Sequence, residues 1–247
     1  MITIQDAAVC YQGKVLFSGL NLALKKGQWI ALLGPSGVGK SSLLRFIGGL
    51  LARQDIQHGR VQAENGMPVS EQIAYMGQID LLLPWLSIWD NVLLGLKLKN
   101  HTRAKRQLII EQAKYLLAKT GIEHASRLYP SQLSGGMRQR AALVRTLLQD
   151  KPIILMDEPF SALDAITRYK LQALSAELLR EKTVFFITHD PVESLRLAHD
   201  IYIMQGQPAN IQLAVSLTSP APREPTAPEV LTWHAALLQQ LTQASET

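Results

Sequence analysis

The run WIALLGPSGVGKSSLLRF, Trp29 to Phe46, constrains the fold more than any other stretch, because an unbroken apolar strand meets a glycine-rich turn that feeds an apolar helix. Apolar residues without alternation suit a strand covered on both faces. Gly34, Gly37 and Gly39 let the backbone turn tightly, so that N–H groups converge on a phosphate at the positive end of the next helix. Pro35, Ser36 and Val38 complete the turn, and Gly34 to Ser42 reads as one nucleotide-binding unit. In it Lys40 would reach the β- and γ-phosphates, the Ser41 hydroxyl would ligate Mg²⁺, and Ser42 follows in the helix. The plain alternative is a glycine-rich turn whose lysine faces water, and the full G-x-x-x-x-G-K-S spacing after a strand weighs against it.

Three more apolar strands end in polar groups. IILMDEP carries Asp157, expected to hold Mg²⁺ through water, and Glu158, expected to polarise an attacking water. TVFFITHD ends at His189, which by itself is as readily a local hydrogen-bonding residue as a γ-phosphate contact. IAYMGQ ends at Gln78, whose amide could reach the metal or the water, though alone it reads as a surface glutamine. In open parallel sheets, ligands bind at the carboxyl ends of the strands, which would gather these residues. A second phosphate-holding pattern, QLSGGMRQRAALVRTL from Gln132, puts Ser134, Gly135 and Gly136 before a helix whose first turns carry Arg138 and Arg140. Alone, it would be a helix cap on a flexible turn.

The rest of the 247 residues supports one α/β domain with an insertion. Residues 1 to about 33 read as strands with tight turns, and residues 80 to 149 as a helical insertion. Within the insertion Leu108, Ile109, Ala113, Leu116, Leu117 and Thr120 fall on one helical side. A helix is expected from Ala165 to Arg180. After Gly206 a proline-rich linker leads to a short terminal helix with a capping box between Thr226 and Glu229. A single cysteine, Cys10, precludes an internal disulfide and a cysteine-based zinc site and fits a reducing compartment. No export signal is seen at the N-terminus, and the longest uncharged run, Ile201 to Pro222, is broken by prolines and QGQPAN, so no membrane span is expected. The net charge of +5 is dispersed, so no nucleic-acid partner is expected.

Together these motifs resemble those of the ATP-binding subunits of ATP-binding cassette (ABC) transporters, over residues 1 to 206. GPSGVGKS is similar to the Walker A motif, Gln78 to the Q-loop, LSGGMRQR to the family signature, IILMDEP to Walker B, SALD (Ser161 to Asp164) to the D-loop, and His189 to the switch histidine. The resemblance implies a P-loop NTPase (RecA-like) core with an N-terminal antiparallel β subdomain and an inserted α-helical subdomain. It implies ATP with Mg²⁺ held by Ser41, Gln78 and Asp157, and catalysis by Glu158 and His189. Tyr11 would stack on adenine, although a core or strand-face tyrosine is nearly as compatible with the sequence. It also implies that two copies pack head to tail, each ATP meeting Ser134, Gly135, Gly136 and Asp164 of the other copy. The second cradle would then serve a partner's nucleotide.

The segment DLLLPWLSIWDNVLLGL, Asp80 to Leu96, lies where this family receives a permease helix, with Leu81 to Trp85 as the docking residues and Trp89 as a core aromatic. Its LPW and the short chain are similar to importer subunits of the nitrate, sulfonate, taurine and thiamine-precursor group. That similarity implies separate permease subunits, an extracytoplasmic binding protein, and a peripheral place on the cytoplasmic face of the plasma membrane. Pro191, Ser194 and Thr146 depart from the group's usual residues without removing a reacting group. A soluble cassette ATPase acting on nucleic acid or ribosomes is the alternative, but no long coiled-coil insertion or second cassette is present. A small-molecule kinase would leave LSGGMRQR, SALD and His189 without a task.

Overall fold

The computed structural model describes residues 1–98 and 101–246. The chain opens with an antiparallel hairpin, β1 (Ile2–Tyr11) and β2 (Lys14–Leu24). Its two-residue loop, Gln12 and Gly13, has positive φ at both positions, the geometry that matches the twist of paired strands. Next come β3 (Trp29–Leu33), α1 (Lys40–Ile47) and β4 (Ile56–Ala63), which pairs with β1 to complete a sheet of order β2-β1-β4. Gly59 of β4 is required there, since a Cβ would lie 2.6 Å from the Ala7 Cα at φ +117°.

A short helix α2 (Val69–Gln72) leads to β5 (Ile73–Met76). Between β5 and the next strand the named helices are α3 (Ile88–Val92), α4 (Leu94–Leu98), α5 (Arg103–Lys119) and α6 (Gly135–Leu147). Ser87 and Thr102 cap α3 and α5 by accepting from Asp90 N and Lys105 N. On α5, Ala113, Leu116 and Leu117 are buried and Ile109 is half-buried. Leu108 departs from the expected apolar side: it is 68% exposed, because it faces a groove rather than the core.

The second sheet continues with β6 (Ile153–Asp157), α7 (Ala165–Leu178), β7 (Thr183–Ile187), α8 (Pro191–Leu197), β8 (Asp200–Gln205) and β9 (Asn210–Ser216), in the order β5-β6-β7-β3-β8-β9. Its pairs are parallel except β8 with β9. Every residue of β3, β6 and β7 is buried, as their unbroken apolar runs require. Successive side chains divide between two cores. Ile30, Leu32, Ile153, Leu155, Phe185 and Ile187 pack toward the small sheet and α1, while Ala31, Leu33, Ile154, Met156, Val184 and Phe186 pack toward the helices. Each of these side chains other than Ala31 contributes about 1.5–3 kcal/mol on full burial, which fixes the strand register and hence the loops at the strand ends.

The tail differs from the expected linker. Residues after Gly206 form β9 and extend the sheet, with Val215 and Leu217 buried in the helix-side core. The uncharged run from Ile201 is therefore largely a strand pair, and among the described residues no helix is long and apolar enough to cross a membrane. The terminal helix α9 (Pro228–Glu246) starts two residues after Thr226, so the expected capping box is not formed. The Glu229 carboxylate instead accepts from the Ser219 hydroxyl and lies 3.7 Å from Arg223 Nε. Buried Arg223 donates to the carbonyls of Leu195 (2.9 Å) and Ala198 (2.7 Å), closing the end of α8.

Candidate nucleotide site

Parallel register aligns Leu32, Ile187 and Asp157 across β3, β7 and β6, and Met76 with Met156 across β5 and β6. The loops that follow these strands leave from one edge, carrying Gly34 to Gly39, Thr188 and His189, Glu158, and Gln78. Gly34 passes directly under β8: a Cβ would lie 2.2 Å from the Met204 carbonyl oxygen, at φ +146°. No other residue type fits this strand-to-turn junction.

Lys40 does not face water. Its Nζ donates to the carbonyls of Gly34 (2.7 Å) and Pro35 (2.6 Å), folding the side chain into the loop that precedes it. Burial lowers its pKa, while the carboxylates of Glu158 and Asp157 act in the opposite sense. Ser36 and Gly37 are exposed, and Pro35, Val38, Ser41 and Ser42 are half-buried along the same turn.

Asp157 is 1% exposed, and its Oδ2 has no hydrogen-bond partner, while the Ser41 hydroxyl lies beside the carboxylate. Burial raises the Asp157 pKa, opposed by the Ser41 hydrogen bond and reinforced by Glu158. An orphaned buried carboxylate oxygen beside a hydroxyl is a hard-oxygen donor set of the kind Mg²⁺ takes, so these residues fit the ion. Gln78 is exposed two residues beyond β5 at the same sheet edge.

Glu158 sits at φ +49°, a left-handed conformation that costs about 1–3 kcal/mol for a residue of this type. Its surroundings hold it there. Its N–H donates to Ile187 O (3.0 Å), and its carbonyl accepts from Gln139 Nε2 (3.0 Å) and the Ser161 hydroxyl (3.0 Å). The turn aims the side chain at His189, with Oε2 3.5 Å from Nδ1. His189 is open to solvent and Glu158 mostly covered.

The second cradle is built differently from the first. Ser134 caps α6, its hydroxyl accepting from Met137 N (3.3 Å), and Ser134 and Gly135 are exposed. A Cβ on Gly136 would lie 3.2 Å from the Ala162 carbonyl, so this helix start packs against the Ser161 to Asp164 loop. Asp164 is exposed and caps α7 by accepting from Thr167 N. Arg138 and Arg140 are not phosphate ligands in waiting. Arg138 pairs with Asp80 (3.0 Å) and donates to Leu133 O, and Arg140 donates to Thr120 O and Gly136 O. Tyr11 ends β1 at 54% exposure, so it is not a core tyrosine.

Three supporting residues were not singled out by the sequence reading. Gln139 joins the signature helix to the loop after β6, since it also accepts from Ala162 N (3.0 Å). Arg145 donates to the carbonyls of Asp80 and Leu81 (2.6 Å each), fastening the segment after Gln78 onto α6. Glu193 is buried beneath the His189 loop. Gln139 and Arg145 stand in or near the quoted signature run, but only the fold shows which face of α6 each occupies.

A phosphate turn between a buried strand and α1, facing a strand-end Asp157, Glu158 and His189, defines a P-loop nucleoside triphosphatase. The chain belongs to the ABC transporter family, whose model matches residues 17–161, and it is an ATP-binding ATPase of that family. It is 44% identical over 245 residues to an uncharacterized ABC transporter ATP-binding protein of Haemophilus influenzae, covering 98% of each chain. It is 38% identical to the aliphatic sulfonates import ATP-binding protein SsuB 1 of Rhodococcus jostii, covering 95% of this chain and 90% of that one. Among solved structures, the ATP-binding cassette MJ0796 in a post-hydrolysis dimeric state bound to ADP and Pi superposes with a TM-score of 0.75 at 26% identity, over 89% of this chain and 100% of that one.

Proposed function

We propose that this chain hydrolyses ATP at sites shared between two of its copies, and that the resulting cycle powers import of a small organic anion, of the aliphatic sulfonate kind, through separate permease subunits. The meeting of Glu158 and His189 at 3.5 Å, on the sheet edge that carries the Lys40 turn, is the observation that supports hydrolysis best. In this reading Glu158 accepts a proton from the attacking water, His189 contacts the γ-phosphate, and the Gly34 to Ser42 backbone with Lys40 holds the β- and γ-phosphates. Ser41, Asp157 and Gln78 would hold Mg²⁺, which neutralises phosphate charge when bound. Tyr11 would stack on adenine.

Ser134, Gly135, Gly136 and Asp164 serve the second copy's nucleotide. The exposure of Ser134, Gly135 and Asp164 supports this, since a helix start open to solvent offers its free N–H groups to an anion. ATP that touches both copies favours the closed pair by its differential affinity, and hydrolysis removes that bias.

The permease would dock in a groove of about 690 Å³ lined by Tyr75, Leu81, Leu98, Leu108, Ile109 and Arg145. Trp85, 68% exposed, follows Leu81 of this lining by four residues, on a loop organised by buried Asn91, which accepts from Leu83 N and donates to the carbonyls of Leu83, Leu86 and Ser87. An amphipathic helix suits such a groove. In this reading the chain sits peripherally on the cytoplasmic face of the membrane, with an extracytoplasmic binding protein supplying substrate.

The test is ATPase activity of the chain with and without its permease in nanodiscs, for wild type, Glu158→Gln and Trp85→Ser. Permease-dependent stimulation, lost in Trp85→Ser, with Glu158→Gln binding ATP but not turning it over, is the expected result. Activity indifferent to any permease would overturn the transport reading, and wild-type turnover in Glu158→Gln would remove Glu158 from the chemistry.

A further inference from the structure

One buried carboxylic acid near the site has no part in the reading above. Glu193 lies in α8, one helical turn after His189, and is 5% exposed. Its Oε2 accepts from Gln172 Nε2 at 2.9 Å, and the Thr188 hydroxyl faces the same carboxyl group across the cleft that both line. Glu193 also shares a narrow cleft with Glu158, Ser161, Thr188 and His189. A carboxyl in such a place costs more than an apolar side chain of equal size, so its hydrogen bonds are its reason to be there.

Those bonds lead to the switch loop. Thr188, itself buried, immediately precedes His189, and its hydroxyl oxygen also accepts from Asp190 N (3.1 Å). Asp190 in turn caps α8 by accepting from Val192 N and Glu193 N, and faces Arg168 of α7 at 3.6 Å. On the other side, Gln172 is buried on α7, and its Oε1 accepts from Arg196 Nη1 (2.8 Å). The His189 loop is thus held against α7, the helix that Asp164 caps, by Asp190 facing Arg168 and by the Glu193 carboxyl group on Gln172.

We infer that Glu193 is a positioning residue for hydrolysis: by holding the Thr188 hydroxyl against Gln172 of α7, it sets where His189 stands relative to Glu158. Without it the Thr188 hydroxyl and the Gln172 amide lose their shared partner, and the loop is free to turn His189 away from the cleft. The inference rests on the proposed role of His189, and the variants are chosen to separate the two.

Steady-state ATP hydrolysis by the full chain is compared for Glu193→Ala, Glu193→Gln, Thr188→Val, His189→Ala and Glu193→Ala with His189→Ala. Glu193→Ala and Thr188→Val should lower kcat by about 10- to 100-fold with KM for ATP within about twofold of wild type. Glu193→Gln, which keeps an acceptor oxygen of the same reach for Gln172 Nε2 and the Thr188 hydroxyl, should rescue most of kcat. In the His189→Ala background Glu193→Ala should cost nothing further, since it acts through a side chain already absent. Multiplying losses in the double variant, a change confined to KM, or full activity in Glu193→Ala would each overturn the inference. If His189→Ala alone keeps wild-type kcat, the role of His189 fails first and separately. Should Glu193→Ala not fold, Thr188→Val and its combination with His189→Ala carry the same comparison.

Discussion

Gln139→Ala removes a clamp whose energy can be worked out bond by bond. The amide nitrogen donates to Glu158 O at 3.0 Å and reaches the Ser161 hydroxyl at 3.5 Å, and the amide oxygen accepts from Ala162 N at 3.0 Å. Two well-formed bonds at about 0.5–1.5 kcal/mol each set the range at about 1–3 kcal/mol. Glu158 O keeps its bond from the Ser161 hydroxyl, and Ala162 is exposed, so its N–H can turn to water. No polar group is left stranded, and a loss of about 1–2 kcal/mol follows.

For a chain of this size that is a fall of about 2–8 °C in Tm. The catalytic consequence should be larger. Holding Glu158 at φ +49° costs about as much as the clamp supplies, so the turn can relax when Gln139 is gone and Glu158 swings from His189. Turnover at saturating ATP should fall by about 10- to 100-fold with ATP affinity little changed. Urea unfolding, steady-state ATPase assays and a nucleotide-binding titration measure the three quantities. Gln139→Glu sharpens the test, because a carboxylate keeps the acceptor for Ala162 N but turns a repulsive oxygen toward Glu158 O. It should impair turnover at least as much as alanine. A variant with the expected loss of stability and wild-type kcat would refute the idea that this clamp holds the Glu158 turn.

Gly34→Ala should destabilise the fold by about 2–4 kcal/mol and abolish ATP binding, because its Cβ meets backbone rather than a yielding side chain; a thermal melt and a binding titration report both. Gly95→Ala is the contrasting case, meeting nothing within 4 Å in α4, and should stabilise by about 0.5–1 kcal/mol in the same melt. Burial raises the Glu193 pKa to about 7, with Asp190 adding to the shift and the Thr188 and Gln172 hydrogen bonds and Arg168 opposing it. The folded state therefore holds this proton more tightly than the unfolded chain, whose value is 4.5, so the contribution is full below that and is lost as pH rises toward and through about 7. Glu193→Gln should flatten that fall in unfolding free energy, by up to about 3 kcal/mol between pH 4.5 and pH 8, and an unchanged slope would count against it.

The large sheet was legible in the sequence because its strands are covered on both faces, which leaves WIALL, IILMD and TVFFI apolar without interruption. Strand-end polar residues were legible for the same reason, since Asp157 and His189 mark where each run stops. Long-range partners were not. Arg138 and Arg140 look ready for phosphate on a helix start, yet Asp80, Leu133 and Thr120 claim them, and these lie from 5 to 58 residues away along the chain. β9 escaped notice because NIQLAVS is half exposed at a sheet edge among prolines, where the alternation is weak. The capping pattern at Thr226 failed because Pro228 opens α9, and buried Arg223 draws Glu229 elsewhere.

Arg223 closes the last turn of α8, while Asp190 and Glu193 anchor its first. A helix of seven residues spans only about 10 Å and does not bend appreciably over that distance. The segment around Arg223 and the histidine loop thereby meet opposite ends of one short rigid strut. A pull on the C-terminal segment, from a fused reporter or a bound neighbour alike, should therefore register at the far end as a shift of the His189 loop.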